Sequence, residues 1–347
     1  MTYSICEPGL DDGRQAILDL WSRNLPDATP DRYDWLYGRG PATARVLRSE
    51  PGDVVGAAGL MGRTIRAGGQ VLQAAQAVDL NVDRSHRSVG PALRLQRTLA
   101  GMVDDGGLDL IYSFPNAASE AIQRRLGYKV LGTFGRWAKP LRCQDGIKGW
   151  LRWPALRKAA SALLDLLLRL RSPETFTRRP AGLHVEVTDR FDARFDALWE
   201  TAAPQFGTVG ERTSGYLEWR FHRSPGARHR VFCLGDSRRE LLAYLVYSRR
   251  QRSVFISDFL FRGVEDFGVL LAEFIRVMRR EKAEAVITVY LGPETVTREL
   301  ARFGFFRRPS AWKALVYADW KEAIPGTDRL LDPQSWHLTR ADVDTEF

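Results

Sequence analysis

Alternating and periodic apolar positions divide the chain into two series of elements. Val78, Leu80 and Val82 alternate with Asp79, Asn81 and Asp83, the period of a strand with one buried face. A basic turn follows, Arg87-Ser-Val-Gly90, and then Pro91 opens a segment with Ala92, Leu95, Leu99, Met102 and Val103 on one helical side. Before this stretch the pattern predicts a strand over 3–6, a helix over 13–21, and strands over 44–47, 54–63 and 71–82. After it come a helix stop at Gly106-Gly107, a strand over 109–115, a helix capped by Asn116 running to Leu126, and strands over 130–141.

The second half repeats this order loosely. A strand opens at His184, a helix covers 191–203, strands cover 230–234, 241–249 and 253–261, and a helix, a strand and a helix follow at 270–280, 285–291 and 295–306. Ser214-Gly-Tyr-Leu-Glu-Trp-Arg-Phe parallels Asp31-Arg-Tyr-Asp-Trp-Leu-Tyr: both are rich in aromatics and both follow the first helix. Between the halves, 154–171 predicts a helix with Leu156, Leu163, Leu166, Leu167 and Leu170 on an apolar side and Arg157, Lys158 and Arg169 largely opposite. Such a helix packs between domains or lies on an anionic bilayer. The expected units are 1–142, the linker 143–182, the second domain 183–320 and a tail, 321–347.

Composition narrows the function classes. The 347 residues are 44% hydrophobic and 27% charged, with a net charge of +9. That balance suits nucleic acid, an anionic surface or an anionic small substrate, but there is no basic-aromatic RNA motif and no Cys/His finger spacing, so no nucleic-acid partner is expected. Cys6, Cys143 and Cys233 are too few and too far apart for a disulfide framework or a metal site, which implies a reducing, cytoplasmic compartment. No signal peptide and no apolar run of about 18 residues is present, so membrane contact, if any, is peripheral, through 150–171.

A strand feeding a Gly-containing basic turn and a helix N-terminus is an anion site in outline. First-turn N–H groups lack intrahelical partners and the helix dipole favours negative charge there. Arg87-Ser88-Val89-Gly90-Pro91-Ala92 resembles the R-x-x-G-x-G/A loop of the GNAT acyltransferase superfamily, and Val78-Asp-Leu-Asn-Val82 resembles the strand that precedes it. Asn116, Ser119, Leu126, Gly127 and Tyr128 fit a second GNAT motif, N-x-x-A/S-x-x-x-Y-x-x-L-G-F/Y. The resemblance implies an α/β (α+β) fold of two tandem GNAT-like domains, each a mixed, mostly antiparallel sheet flanked by helices. It also implies coenzyme A or acetyl-CoA as cofactor, held by Leu80, Asn81, Val82, the loop from Arg87 to Ala92, Asn116 and Ser119. The second half lacks the loop, so one cofactor per chain is expected, and no metal.

The resemblance implies acyl transfer to an amine or hydroxyl of a small molecule or an envelope sugar precursor. Asp332-Pro-Gln-Ser-Trp-His-Leu-Thr resembles the tail of tandem GNAT-like proteins found with exopolysaccharide or cell-envelope glycan genes. Gln123 departs from the motif: the family commonly has Tyr there, often the acid that protonates the leaving thiolate. Tyr112 and Ser113, on the strand that splays from the central one, are candidate replacements. Asp79 is a candidate base or a salt-bridged structural group, and alternation places it on the face opposite Val78. His86 is a candidate base, a phosphate contact or an exposed side chain. Tyr33, Trp35, Tyr37, Tyr216, Trp219 and Asp258 are candidate acceptor contacts, with Glu218 and Arg220 near them. Two further readings stay open: a catalytically silent coenzyme A-binding or scaffold protein, and an aminoacyl-transferase of the peptidoglycan-bridge type, which lacks such a loop.

Overall fold

The structure, a computed structural model, describes residues 2–8, 12–25, 28–50, 52–142, 170, 172–320 and 329–344. Nearly all of the expected linker helix lies outside them. Two mostly antiparallel sheets carry the fold. The first contains β1 (Tyr3–Cys6), β2 (Ala42–Ser49), β3 (Val54–Ala67), β4 (Gln70–Val82), β5 (Leu110–Ser113) and β6 (Lys129–Thr133). The second contains β8 (His184–Thr188), β10 (His229–Gly235), β11 (Leu241–Arg250), β12 (Ser253–Phe261), β13 (Ala285–Tyr290) and β14 (Phe306–Arg308).

Each half also lends a strand to the other. β7 (Gly135–Pro140), which reads as the end of the first unit, lies between β13 and β14 of the second sheet. β15 (Lys313–Ala318), from the far end of the second unit, lies between β5 and β6 of the first. Two short strands, β9 (Thr208–Gly210) and β16 (Trp336–His337), extend the first sheet beside β3. The sheets in space therefore cross the boundary drawn at residue 142. A core of Ile65, Leu110, Tyr112, Val316, Trp336 and Leu338 fills the space they share.

The two halves repeat local devices. Thr29 caps α2 (Pro30–Tyr33) by accepting from Arg32 N, and Thr213 caps the helix of Ser214–Leu217 by accepting from Tyr216 N. Each helix then widens into a π-helical turn, Asp34–Gly38 and Glu218–His222. Each central strand carries a bulge. In the first sheet Gly59 faces Val78 and Ala57 faces Asn81, so Ala58 alone opposes Asp79 and Leu80. In the second, Val246 faces Asp258 and Tyr247 faces Ile256, which leaves Ser257 unpaired.

Candidate active site

The loop after β4 leads into α3 (Val89–Asp104), two residues earlier than Pro91, so that Pro91 sits within the first turn. Ser88 occupies the N-cap but makes no capping hydrogen bond from its side chain. The first N–H groups thus face outward with no acceptor from the cap. Nothing lies within 4 Å of where a Gly90 Cβ would be, and its φ is not in the left-handed region, so neither packing nor backbone strain requires this glycine. Its lack of a side chain leaves the helix start bare. Arg84, Arg87 and Ser88 are exposed around it. Among the described residues the Arg87 guanidinium makes only long contacts, 3.4 Å to Asn24 Oδ1 and 3.5 Å to the Val82 carbonyl. His86 is held aside by Tyr3, whose hydroxyl lies 3.0 Å from Nδ1.

β4 and β5 pair in parallel only over Ala74–Ala77 and Leu110–Ser113. Beyond that point β5 ends while β4 continues to Val82, a further run of roughly 15 Å at the rise of a strand. The gap so formed leads from the bare helix start to the end of β5. At its base three buried polar side chains bond in series. Ser113 Oγ donates to Gln123 Oε1 at 2.7 Å, and Gln123 Nε2 donates to Gln96 Oε1 at 3.2 Å. Asn116 caps α4 (Ala117–Arg125) by accepting from the Ser119 backbone N–H at 3.0 Å.

On the other side of the first sheet lies the bulge. Asp79 adopts φ of +53°, a left-handed conformation that Asp tolerates better than most residues. The extra residue breaks the alternation, so Asp79 sits on the same side as Val78, both against Tyr37, rather than on the opposite face. Its carboxylate accepts from Arg32 Nη2 at 2.7 Å and from the Tyr37 hydroxyl at 2.8 Å. Arg32 Nη2 also donates to Asp344 Oδ2 at 2.8 Å, and Gln76 Nε2 donates to Asp344 Oδ1 at 2.7 Å. Burial pushes the Asp79 carboxyl up; Arg32 opposes that shift and Asp344 adds to it. A Cβ on Gly59 would fall 2.3 Å from the Tyr37 hydroxyl, so here a glycine is required for Tyr37 to reach Asp79.

In the second half the corresponding strand holds Asp258, fully buried and ion-paired with Arg212 at 3.1 Å. Tyr244 and Thr339 also donate to it, at 2.9 and 2.6 Å. Arg212 reaches on to Asp342 of the tail at 2.6 Å, and Arg63 of β3 meets the same carboxylate at 3.2 Å. Arg220 Nη2 donates to the carbonyls of Arg340 and Val343, at 3.1 and 2.7 Å.

The expected site residues therefore separate into groups. The loop from Arg87 to Ala92 and the strand residues Leu80, Asn81 and Val82 border the gap. Asp79, Tyr37 and Tyr33 lie near the bulge, where Tyr33 and Tyr37 rings are 5.1 Å apart. Trp35 and Trp219 stack on each other. Tyr112 is buried, its phenol pushed well up by burial, with its hydroxyl 3.5 Å from the Asp342 carbonyl. Tyr216 donates to the Ala341 carbonyl and lies under Arg63, whose guanidinium carbon is 3.6 Å from the ring centroid. Asp258 is locked into the buried ion pairs, away from any opening. Glu218 faces His222 at 3.8 Å on the surface. Sequence reasoning passed over Arg32, Gln76, Gln96 and Asp344. Gln76 alone left a signal: it takes an inward position in the series Leu72, Ala74, Gln76, Val78, where a polar residue needs a partner.

No protein-family model matches the chain, and no curated protein does. Solved structures match it in fold. An Enterococcus faecalis V583 protein described as a probable N-acyltransferase aligns with a TM-score of 0.67 at 11% identity, covering 91% of this chain and 72% of its own. A GCN5-related N-acetyltransferase from Anabaena variabilis aligns at 0.66 and 14% identity, with the same coverage of 91% and 72%. Saccharomyces cerevisiae N-myristoyltransferase with bound myristoyl-CoA aligns at 0.55 and 11% identity, covering 91% and 79%. The chain has the GNAT fold. Among the described residues no helix is long and apolar enough to cross a membrane.

Proposed function

We propose that the protein is an acyl-CoA-dependent acyltransferase that moves an acetyl group from acetyl-CoA to an amine or hydroxyl of a small molecule, an envelope sugar precursor being the acceptor class suggested by the tail sequence. The observation that carries this reading is the gap between β4 and β5, which opens at a bare, basic helix start. Residues 88–92 with Arg87 suit a pyrophosphate, through outward backbone N–H groups and one exposed cation. The stretch of β4 from Val78 to Val82, beyond its pairing with β5, suits a pantetheine arm. Acetyl-CoA supplies an activated thioester when bound. The chain's own part is to orient it, exclude water and take a proton from the acceptor, and Asp79, raised by burial and bordered by Tyr37, suits that last task.

The test is calorimetry with acetyl-CoA on the full chain, followed by thiol release on a panel of acceptors. One equivalent should bind, and Arg87→Glu with Gly90→Asp should abolish binding. Unchanged affinity in that variant would overturn the assignment. A second reading, a silent coenzyme A binder, is favoured by one feature: Gln123 is a neutral amide bonded to Ser113 and Gln96, and it has no proton to give a thiolate. Tight binding without thiol release on any acceptor would select that reading.

A further inference from the structure

The hydrogen bonds at the bulge leave one buried acceptor without a donor among the described residues. Asp344 is an acceptor only, so the Gln76 nitrogen must be the atom that faces it. That fixes the amide and leaves the Gln76 oxygen as its atom without a donor. Gln76 is 1% exposed, and its Oε1 has no hydrogen-bond partner among the described residues. The unmet atom is therefore an acceptor. Both nearby carboxylates are acceptors as well, and they share a single nitrogen of Arg32. Two carboxyl groups meet one guanidinium among these bonded groups. The cluster is not sealed: the side chains of Asp79, Asp344 and Arg32 keep 8, 12 and 17% of their exposure. A ligand that satisfies it must bring hydrogens and positive charge, which a primary ammonium group does with three donors.

Asp344 reaches this point because the tail is built into the fold. Thr339 and Asp342 form a capping box around a short helical turn, Arg340–Asp342. The Asp342 carboxylate is held by Arg212 and Arg63, both buried. Arg220 holds the carbonyls of Arg340 and Val343, and Arg32 Nη1 holds the Asp344 carbonyl at 2.8 Å. Arg212 is fixed in turn by Asp258 of the second sheet. The half that lacks a cofactor loop thus sets the position of a side chain in the half that has one.

We infer that Asp344 is an acceptor-binding residue: with Asp79 and the Gln76 carbonyl oxygen it receives a primary ammonium group, while Arg212, Asp342 and Arg220 are positioning residues that hold the tail in place. This deepens the proposed function and rests on it for the identity of the acceptor's partner, acetyl-CoA.

The experiment uses the full chain, n-butylamine as the cationic probe and n-butanol as the uncharged control, with binding followed by saturation-transfer NMR. Butylamine should bind and butanol should not. Asp344→Asn and Gln76→Leu should each weaken butylamine at least tenfold and leave acetyl-CoA affinity unchanged. In any amine-dependent thiol release, Asp344→Asn should raise the KM for amine far more than it lowers kcat. Asp342→Asn should weaken butylamine as well and speed hydrogen exchange at the Val343 and Asp344 amides. If Asp342→Asn does not fold, Arg220→Gln carries the same expectation. Equal binding of butanol, no binding of butylamine, or butylamine affinity unchanged in Asp344→Asn would each overturn the inference. Failure of acetyl-CoA to bind, with an Asp344-dependent butylamine site intact, would instead overturn the acyltransferase reading.

Discussion

Trp35 and Trp219, one from each half of the chain, stack with ring centroids 4.8 Å apart and planes 14° from parallel. The indole N–H of Trp35 donates to the Trp219 carbonyl at 3.0 Å, and that of Trp219 donates to the Trp35 carbonyl at 3.3 Å. The contact is reciprocal. Each residue is the second of a π-helical turn, so the two turns face each other about a local pseudo-twofold axis. The wide turn sets the geometry: it leaves carbonyls out of the usual helical pattern, free to accept from the partner indole.

This pair should couple the halves energetically. Trp35 is buried, so Trp35→Ala is expected to cost about 3–5 kcal/mol. In a double-mutant cycle with Trp219→Ala the two changes should not add: the stacking predicts a coupling of about 0.5–1.5 kcal/mol, to which the indole hydrogen bonds do not contribute, because their acceptors are backbone carbonyls that the Ala variants keep. Urea denaturation of the four proteins measures it. Strict additivity would show that the rings touch without supporting each other.

Gly59 tests how tightly the bulge is built. Gly59→Ala places a Cβ 2.3 Å from the Tyr37 hydroxyl and should cost about 1–3 kcal/mol by overpacking. It should also separate Tyr37 from Asp79. In a Tyr37→Phe background the closest clash is gone, so the added cost of Gly59→Ala should fall. Chemical denaturation of the single and double variants decides the point, and an equal cost in both backgrounds would place the clash elsewhere.

His337 predicts an acid limb. It is fully buried, with its pKa depressed to about 3, chiefly by burial and secondarily by Arg212. The Phe259 carbonyl can only accept, so Nε2 carries the hydrogen, at 2.9 Å, and Nδ1 accepts from the Tyr290 hydroxyl at 3.1 Å. The neutral ring is the form that fits. The unfolded chain takes up a proton near pH 6.5 and the folded one does not until about 3. Between these values the unfolded state binds more protons, so stability falls as pH falls, by about 1.4 kcal/mol per unit from this group. Measured unfolding free energies at pH 7, 6 and 5 should show a smaller slope in His337→Gln. The same slope in both proteins would assign the acid limb to other groups.

What could be read from the sequence was local. The strand, basic turn and helix over 71–104 were legible because apolar period, Gly90 and Pro91 act within a few residues. The parallel between Trp35 and Trp219 was visible as a repeated aromatic cluster, but not their contact, which joins positions far apart in the chain. Asp79 was noticed, yet alternation put it on the wrong face, since a bulge leaves no mark in a strand of mixed polarity. Arg63, Arg212, Asp342 and Asp344 stand in no pattern that marks them as partners. Only pairing makes their burial tolerable, Arg63 and Arg212 with Asp342 and Asp344 with Arg32, and pairing across 130 to 312 residues carries no periodic signal. The exchanged strands are hidden for the same reason: Gly135–Pro140 falls within the strands expected over 130–141, Lys313–Ala318 falls outside every expected element, and nothing in either names its neighbour.

The exchange makes its own prediction for a fragment cut at residue 142. Such a fragment lacks β15, whose Leu315 and Val316 are fully buried between β5 and β6. The pairs Leu315–Ser113, Val316–Tyr112, Tyr317–Ile111 and Ala318–Leu110 are all lost, and so is the bond from the Phe134 N–H to the Trp312 carbonyl. The fragment also ends in β7, which has lost both its neighbours, β13 and β14. Two unpaired inner edges and a free strand favour aggregation over folding. Residues 1–142 expressed alone should therefore be insoluble, or collapsed with poorly dispersed amide resonances. Co-expressed with residues 143–347, they should be recovered as a soluble one-to-one complex, because the complement supplies β15 and receives β7. Size-exclusion chromatography and an amide correlation spectrum distinguish the outcomes. A folded, monomeric 1–142 would mean that β6 can close directly onto β5, and that the two halves are joined by packing rather than by exchange.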